Sequence, residues 1–178
     1  MKIARRNRIH LHLIMPGKKV VKYFEVIPEN VQAPCKEFTG ELKKIRKSME
    51  KSTEEKCKAI LFYVPIVSRA GTDIEAALQK VDKFKGKNVA LVVLHHTYDP
   101  ESIVLDSSRA VNREKTITVD CLFHEDKGLL QCHKNVEAVK KVADWLYDVK
   151  HKKQEQSEKK EKKTKEKENM EEGQRRQI

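Results

Sequence analysis

The chain has 178 residues, room for one domain of ordinary size. Charged residues make up 37% of it and mean hydropathy is −0.71, too polar for a chain packed from end to end. The formal net charge of +11 belongs to the two ends: residues 1–22 hold seven Lys or Arg and no acid, residues 150–178 hold eleven against seven, and the stretch between them balances. A neutral body excludes a broad phosphate-tracking surface, which leaves nucleic acid only weak, salt-dependent contact with the basic ends.

Residues 1–17 read as a basic extension. "IHLHLIM" within it supports either an edge strand or no structure. The Arg-rich, acid-free start is a feature of mitochondrial transit peptides but lacks their serines, so a cytoplasmic or nuclear protein is expected. No apolar run approaches the roughly 20 residues of a membrane span. Cys35, Cys57, Cys121 and Cys132 show no CxxC spacing and are expected as reduced thiols.

"KKVVKYFEVI", Lys18 to Ile27, is β-branched and aromatic and is closed by Pro28, so it reads as a strand. Phe38, Leu42, Ile45 and Met49 then recur at helical spacing. "CKAILFYVPIV" is apolar on both faces, as a buried parallel strand requires. Ile74, Ala77, Leu78 and Val81 form the stripe of a second helix, and "KNVALVVLHHT" is a second buried strand. The connection from Tyr98 to Glu114 is long for a simple loop, and "PESIVLDSSRAVN" within it predicts a short helix or a functional loop in which Arg109 and Arg113 close over an anion. "KTITVDCLF" is a further strand. Val136, Val139, Val142, Ala143, Leu146 and Val149 mark a last helix, with Trp145 beside its apolar stripe.

This alternation predicts an α/β domain over residues 18–150: a small, doubly wound, mainly parallel sheet of four to five strands, three-layered and flavodoxin-like. Residues 151–178 are expected as a Lys/Glu-rich tail, disordered or a frayed, coiled-coil-like continuation of the last helix.

Ligands of such sheets bind outside the carboxyl ends of the strands. "VSRAGTD" falls there. Gly71 allows close backbone approach, the helix N–H groups favour an anion, and Ser68, Arg69 and Thr72 add donors. Thr72-Asp73-Ile74-Glu75 also fits a capping box, with Thr72 as N-cap and Glu75 reaching back. His95 and His96 close one strand on opposite faces, and Asp120 and His124 share a face at the end of another. Asp120 and Cys121 face opposite ways, so neither a metal centre nor a Cys nucleophile is expected, and no cofactor is expected.

"PIVSRAGTDIEAAL" and the run from Ala90 to Leu130 resemble a family of small α/β proteins of unassigned activity expanded in bony fishes, over about Lys22 to Leu146. "GTDIEAA" after a buried strand is also similar to the strand–loop–helix of nucleoside 2-deoxyribosyltransferase-like proteins. That likeness implies Glu75 as a catalytic carboxylate, which suits an oxocarbenium-like transition state, with Asp73 and Ser68 holding ribose or phosphate. The function expected is a domain that binds a nucleotide or sugar phosphate, with nucleoside N-glycosidase or transferase chemistry at Glu75; the alternative is a non-catalytic module that contacts a protein partner. The ligand-binding residues expected are Ser68, Arg69, Gly71, Thr72, Asp73, His95 and His124.

Overall fold

A computed structural model of the chain describes residues 20–150, so the readings of the basic extension up to residue 17 and of the tail from residue 151 lie outside the described residues. Strand β1 (Val21–Val26) leads to helix α1 (Gln32–Ile45), strand β2 (Met49–Lys51), strand β3 (Ala59–Pro65), helix α2 (Ala70–Val81), strand β4 (Asn88–His96), strand β5 (Thr116–His124) and strand β6 (Gly128–Leu129). A last helix, α3, occupies residues 133–150. The six strands form one sheet in the order β2-β1-β3-β4-β5-β6, parallel except for β6. The expectation of an α/β, mainly parallel architecture holds. Among the described residues the sheet has six strands, not four or five.

Residue alternation assigns the two faces. Tyr23, Leu61, Tyr63, Val92, Leu94 and Cys121 point toward α1 and α3, where Phe38, Leu42, Val139, Val142 and Leu146 meet them. Ile60, Phe62, Leu91 and Val93 point the other way, onto Ile74, Ala77 and Val81 of α2. A strand covered on both sides carries no polar alternation, which is why β3 and β4 read as continuous apolar runs.

Two positions depart from the sequence reading. Met49 continues the helical spacing of Ile45 but opens β2: Arg46 leaves the helix at φ −110°, ψ 76°, and Met49 pairs with Val21 on the outer edge of β1. Residues 52–58 then link two parallel strands that flank β1, a much shorter route than such crossovers normally need. Register explains it. Lys51 at the end of β2 and Ala59 at the start of β3 both pair with Tyr23, so the chain crosses one strand at constant height. In α3, Val136 is 65% exposed while Val139, Val142, Ala143 and Leu146 are buried.

The connection between β4 and β5 contains one short 3-10 turn, Ser107–Ala110, in place of a helix. It covers β5 itself: Val104 packs on Leu122, Leu130 and Cys132, and Ser107 N–H donates to Asp120. Arg113 does not close over a ligand. It donates to Phe84 O and to Thr116 Oγ1, pinning the connection at the opposite edge of the sheet from the expected site.

Asn135 on α3 completes the edge of β5. Its Oδ1 accepts from Leu122 N–H (2.8 Å) and its amide donates to Leu122 O and Leu130 O (2.7 Å each), so a buried side chain does there what a neighbouring strand would do. Replacing it with alanine strands buried backbone groups, each costing about 1–3 kcal/mol. Urea unfolding of Asn135→Ala is expected to show a loss of about 3 kcal/mol; a loss below about 1 kcal/mol would remove this role.

Candidate functional site

The carboxyl ends of β3, β4 and β5 gather most of the residues singled out above. Beyond β3 the chain turns at Val67–Ser68 and enters α2. Arg69, extended at φ −136°, ψ 135°, is the N-cap, and its side chain makes no capping bond. The helix therefore starts at Ala70, and the capping box is corrected: Thr72 sits inside the first turn and Glu75 lies exposed one turn on, with no hydrogen bond or ion pair among the described residues. Asp73 closes the turn instead. Its Oδ2 accepts from Val67 N–H and Ser68 N–H (2.8 Å each), and its Oδ1 accepts from Ser68 Oγ (3.1 Å). The Ser68 amide, with that of Val67 and the Ser68 hydroxyl, holds the Asp73 carboxyl below the usual range. A protein carboxylate thus fills the two amides of the turn that leads into α2 and sets a negative charge beside the start of the helix. Gly71 is exposed, and a Cβ there would meet nothing within 4 Å.

Three of the strand-end residues singled out above, His95, Asp120 and His124, lie further along the edge. His95, on the α2 face of β4, meets Asp120 of β5 at 2.7 Å, and the second oxygen of Asp120 takes Ser107 N–H at 3.1 Å. Burial pushes the Asp120 carboxyl up, but the bonds from His95 and Ser107 outweigh it and leave its pKa below the ordinary 3.8. His124 is 1% exposed. Its Nδ1 accepts from Asp126 N–H at 3.2 Å, and its Nε2 is buried with no hydrogen-bond partner among the described residues.

Residues outside the expected set complete the group. The ring of His96 lies 5.1 Å from that of His124, and the ring of Tyr98 lies 4.0 Å from it. Tyr98 is 69% exposed. A hollow of about 350 Å³ lies beside it, walled by Glu37, Pro100, Lys127, Leu130 and Gln131. Glu37 is engaged, accepting from Leu129 N–H at 2.7 Å, whereas Lys127 is exposed and makes no ion pair among the described residues. In the sequence, "HHTYDP" carried a faint signal for Tyr98, an aromatic between strand-end histidines and a proline.

The cysteines do not join this edge. Burial, then the Glu25 charge, pushes the Cys35 thiol up to about 12; burial also raises Cys121 and Cys57. Among the described residues no helix is long and apolar enough to cross a membrane. No protein-family model matches the chain, and no curated protein matches it.

Two outcomes follow from this geometry. A carboxyl whose folded pKa is depressed contributes stability that is complete above its unfolded value and lost as pH falls through the folded one. On acidification from neutral pH to about pH 3, the wild type is therefore expected to lose more stability than Asp120→Asn, read as the shift in urea midpoint; equal losses would contradict it. At the turn, Asp73→Ala is expected to lower Tm measurably, whereas Glu75→Gln changes stability by no more than about 0.5 kcal/mol, as exposed substitutions do.

Proposed function

We propose that this chain is a flavodoxin-like ligand-binding domain that takes a small phosphorylated molecule, of the nucleotide or sugar-phosphate class, at the carboxyl edge of its sheet. The observation that carries this reading is the hollow beside Tyr98. It lies at the strand ends, and it pairs an exposed aromatic ring with the unpaired ammonium of Lys127. A ring face suits a base or sugar, and an ammonium suits a phosphate. Parallel sheets of this order, with β1 to β5 running 2-1-3-4-5, take their ligands on this side. The phosphate goes to Lys127 rather than to the start of α2, because the Asp73 carboxylate, held on the Val67 and Ser68 amides of the preceding turn, puts a negative charge there.

The proposal is one of binding, without glycosidic cleavage at Glu75. A catalytic carboxylate needs neighbours that fix it and exclude water. Glu75 is on the solvent face of α2 without such a partner among the described residues. A second reading, a module that contacts a protein partner, is favoured by Ile103 and Leu105. They are 98% and 86% exposed on either side of the packed Val104.

Thermal unfolding against a panel of nucleotides and sugar phosphates tests the choice. At least one compound is expected to raise Tm by roughly 5–10 °C at about a hundredfold excess over its Kd. Tyr98→Ala and Lys127→Ala are each expected to abolish most of that shift, measured from each variant's own unliganded Tm; Lys127→Ala leaves that Tm in place, since its side chain is exposed, whereas Tyr98→Ala uncovers the His124 ring and lowers it. A panel that leaves Tm unmoved, or a shift indifferent to both variants, overturns the reading in favour of the protein-contact module.

A further inference from the structure

We infer that His96, His124 and Glu125 bind a divalent transition-metal ion of the zinc class, at the junction of β4 with the β5–β6 turn. One ring nitrogen of each histidine and one Glu125 oxygen lie within 4.8 Å of one another. Two imidazoles and a carboxylate form a donor set suited to Zn²⁺, Co²⁺ or Ni²⁺ rather than to Mg²⁺ or Ca²⁺, which prefer all-oxygen shells. Three protein donors leave at least one coordination position for water or another ligand.

The second, independent observation is the state of His124. It is 1% exposed, and its Nε2 is buried without a partner. A buried polar nitrogen left unpaired costs about 1–3 kcal/mol, and a ligand at that atom removes the cost. Its ring is held in place by Tyr98 and by the turn, where Nδ1 accepts from Asp126 N–H at 3.2 Å. That bond is longer than the usual 2.9–3.0 Å. The Asp126 carboxylate stands 4.0 Å from the same Nδ1. With a cation on Nε2, the ring proton moves from Nε2 to Nδ1, which gives up its bond from the N–H of Asp126, an exposed residue whose amide turns to water, and takes the Asp126 carboxylate as its acceptor. This is the carboxylate–histidine–metal arrangement by which outer groups orient a ligand. His96 and Glu125 are both exposed, so their side chains supply the movement that brings the three donors to tetrahedral spacing around the ion.

The site does not depend on the small-ligand proposal, and its test uses metal alone. Co²⁺ titration of the full-length protein is expected to give a visible tetrahedral d–d band saturating at one ion per chain, displaced by Zn²⁺. His96→Ala and Glu125→Gln, both at exposed positions, are each expected to weaken Co²⁺ binding at least tenfold without changing the far-ultraviolet circular dichroism. Asp126→Asn is expected to weaken it about tenfold. A His10→Ala, His12→Ala double variant, altered outside the described residues, is expected to bind as the wild type does. The inference is overturned by no saturable band, by a band unaffected by His96→Ala and Glu125→Gln, by loss of binding in the His10/His12 variant, or by a thiolate–cobalt charge-transfer band that assigns the ion to cysteine.

Discussion

The carboxylate of Glu25 stands on β1 with only 6% of its side chain exposed, and three other elements converge on it. Thr39 of α1 donates its hydroxyl proton at 2.5 Å, and Lys51 of β2 reaches the second oxygen at 2.8 Å. Thr39 has one hydrogen to give, so the 2.7 Å contact between its Oγ1 and Tyr63 Oη is donated by the tyrosine of β3. The chain of donors thus runs from the core outward and ends on a carboxylate. Removing that charge from water costs several kcal/mol unless its lone pairs are met. Only one placement of β1, α1, β2 and β3 meets them all. Burying this carboxylate among those donors fixes the height of β1 against β3, and with it the level at which every later strand delivers its carboxyl end.

From that reference the sheet extends to β5, where the protection changes in kind. The first strands are covered by helices. The last long one is covered by an irregular connection on one face and has its edge closed by the amide of Asn135. Irregular backbone is the better material for a site, since it places side chains without the periodicity of a helix. Tyr98 and the His95–Asp120 contact belong to this part of the molecule. The regular half of the protein sets the frame, and the irregular half carries the chemistry.

Periodicity made the long elements legible. Strands β3, β4 and β5 and the apolar stripe of α2 stand in the sequence nearly as they stand in the fold. Strand β2 does not, because three residues show no alternation and Met49 happens to keep the spacing of α1. Strand β6 is shorter still. At the start of α2, the Thr72–Glu75 spacing satisfied a local rule, but Asp73 could reach back to two amides of the preceding turn and so took precedence. The histidines could be assigned to the right edge from their positions at strand ends. Their partners could not be assigned: the contact of His95 with Asp120 and the approach of His96 to His124 depend on the register between strands some 25 residues apart, and composition does not encode register.

The β5–β6 turn has its own dependence on distant chain. Gly128 takes φ +72° there with the Glu37 carboxylate pressed against it, and Glu37 also receives Leu129 N–H, a bond spanning 92 residues. Helix α1 therefore holds the hairpin through Glu37, and Asn135 of α3 holds the residue that follows it, Leu130. A chain truncated before α3 would keep the strands that carry the histidines but lose this tie, leaving Leu122 N–H and Leu130 O beside them without Asn135.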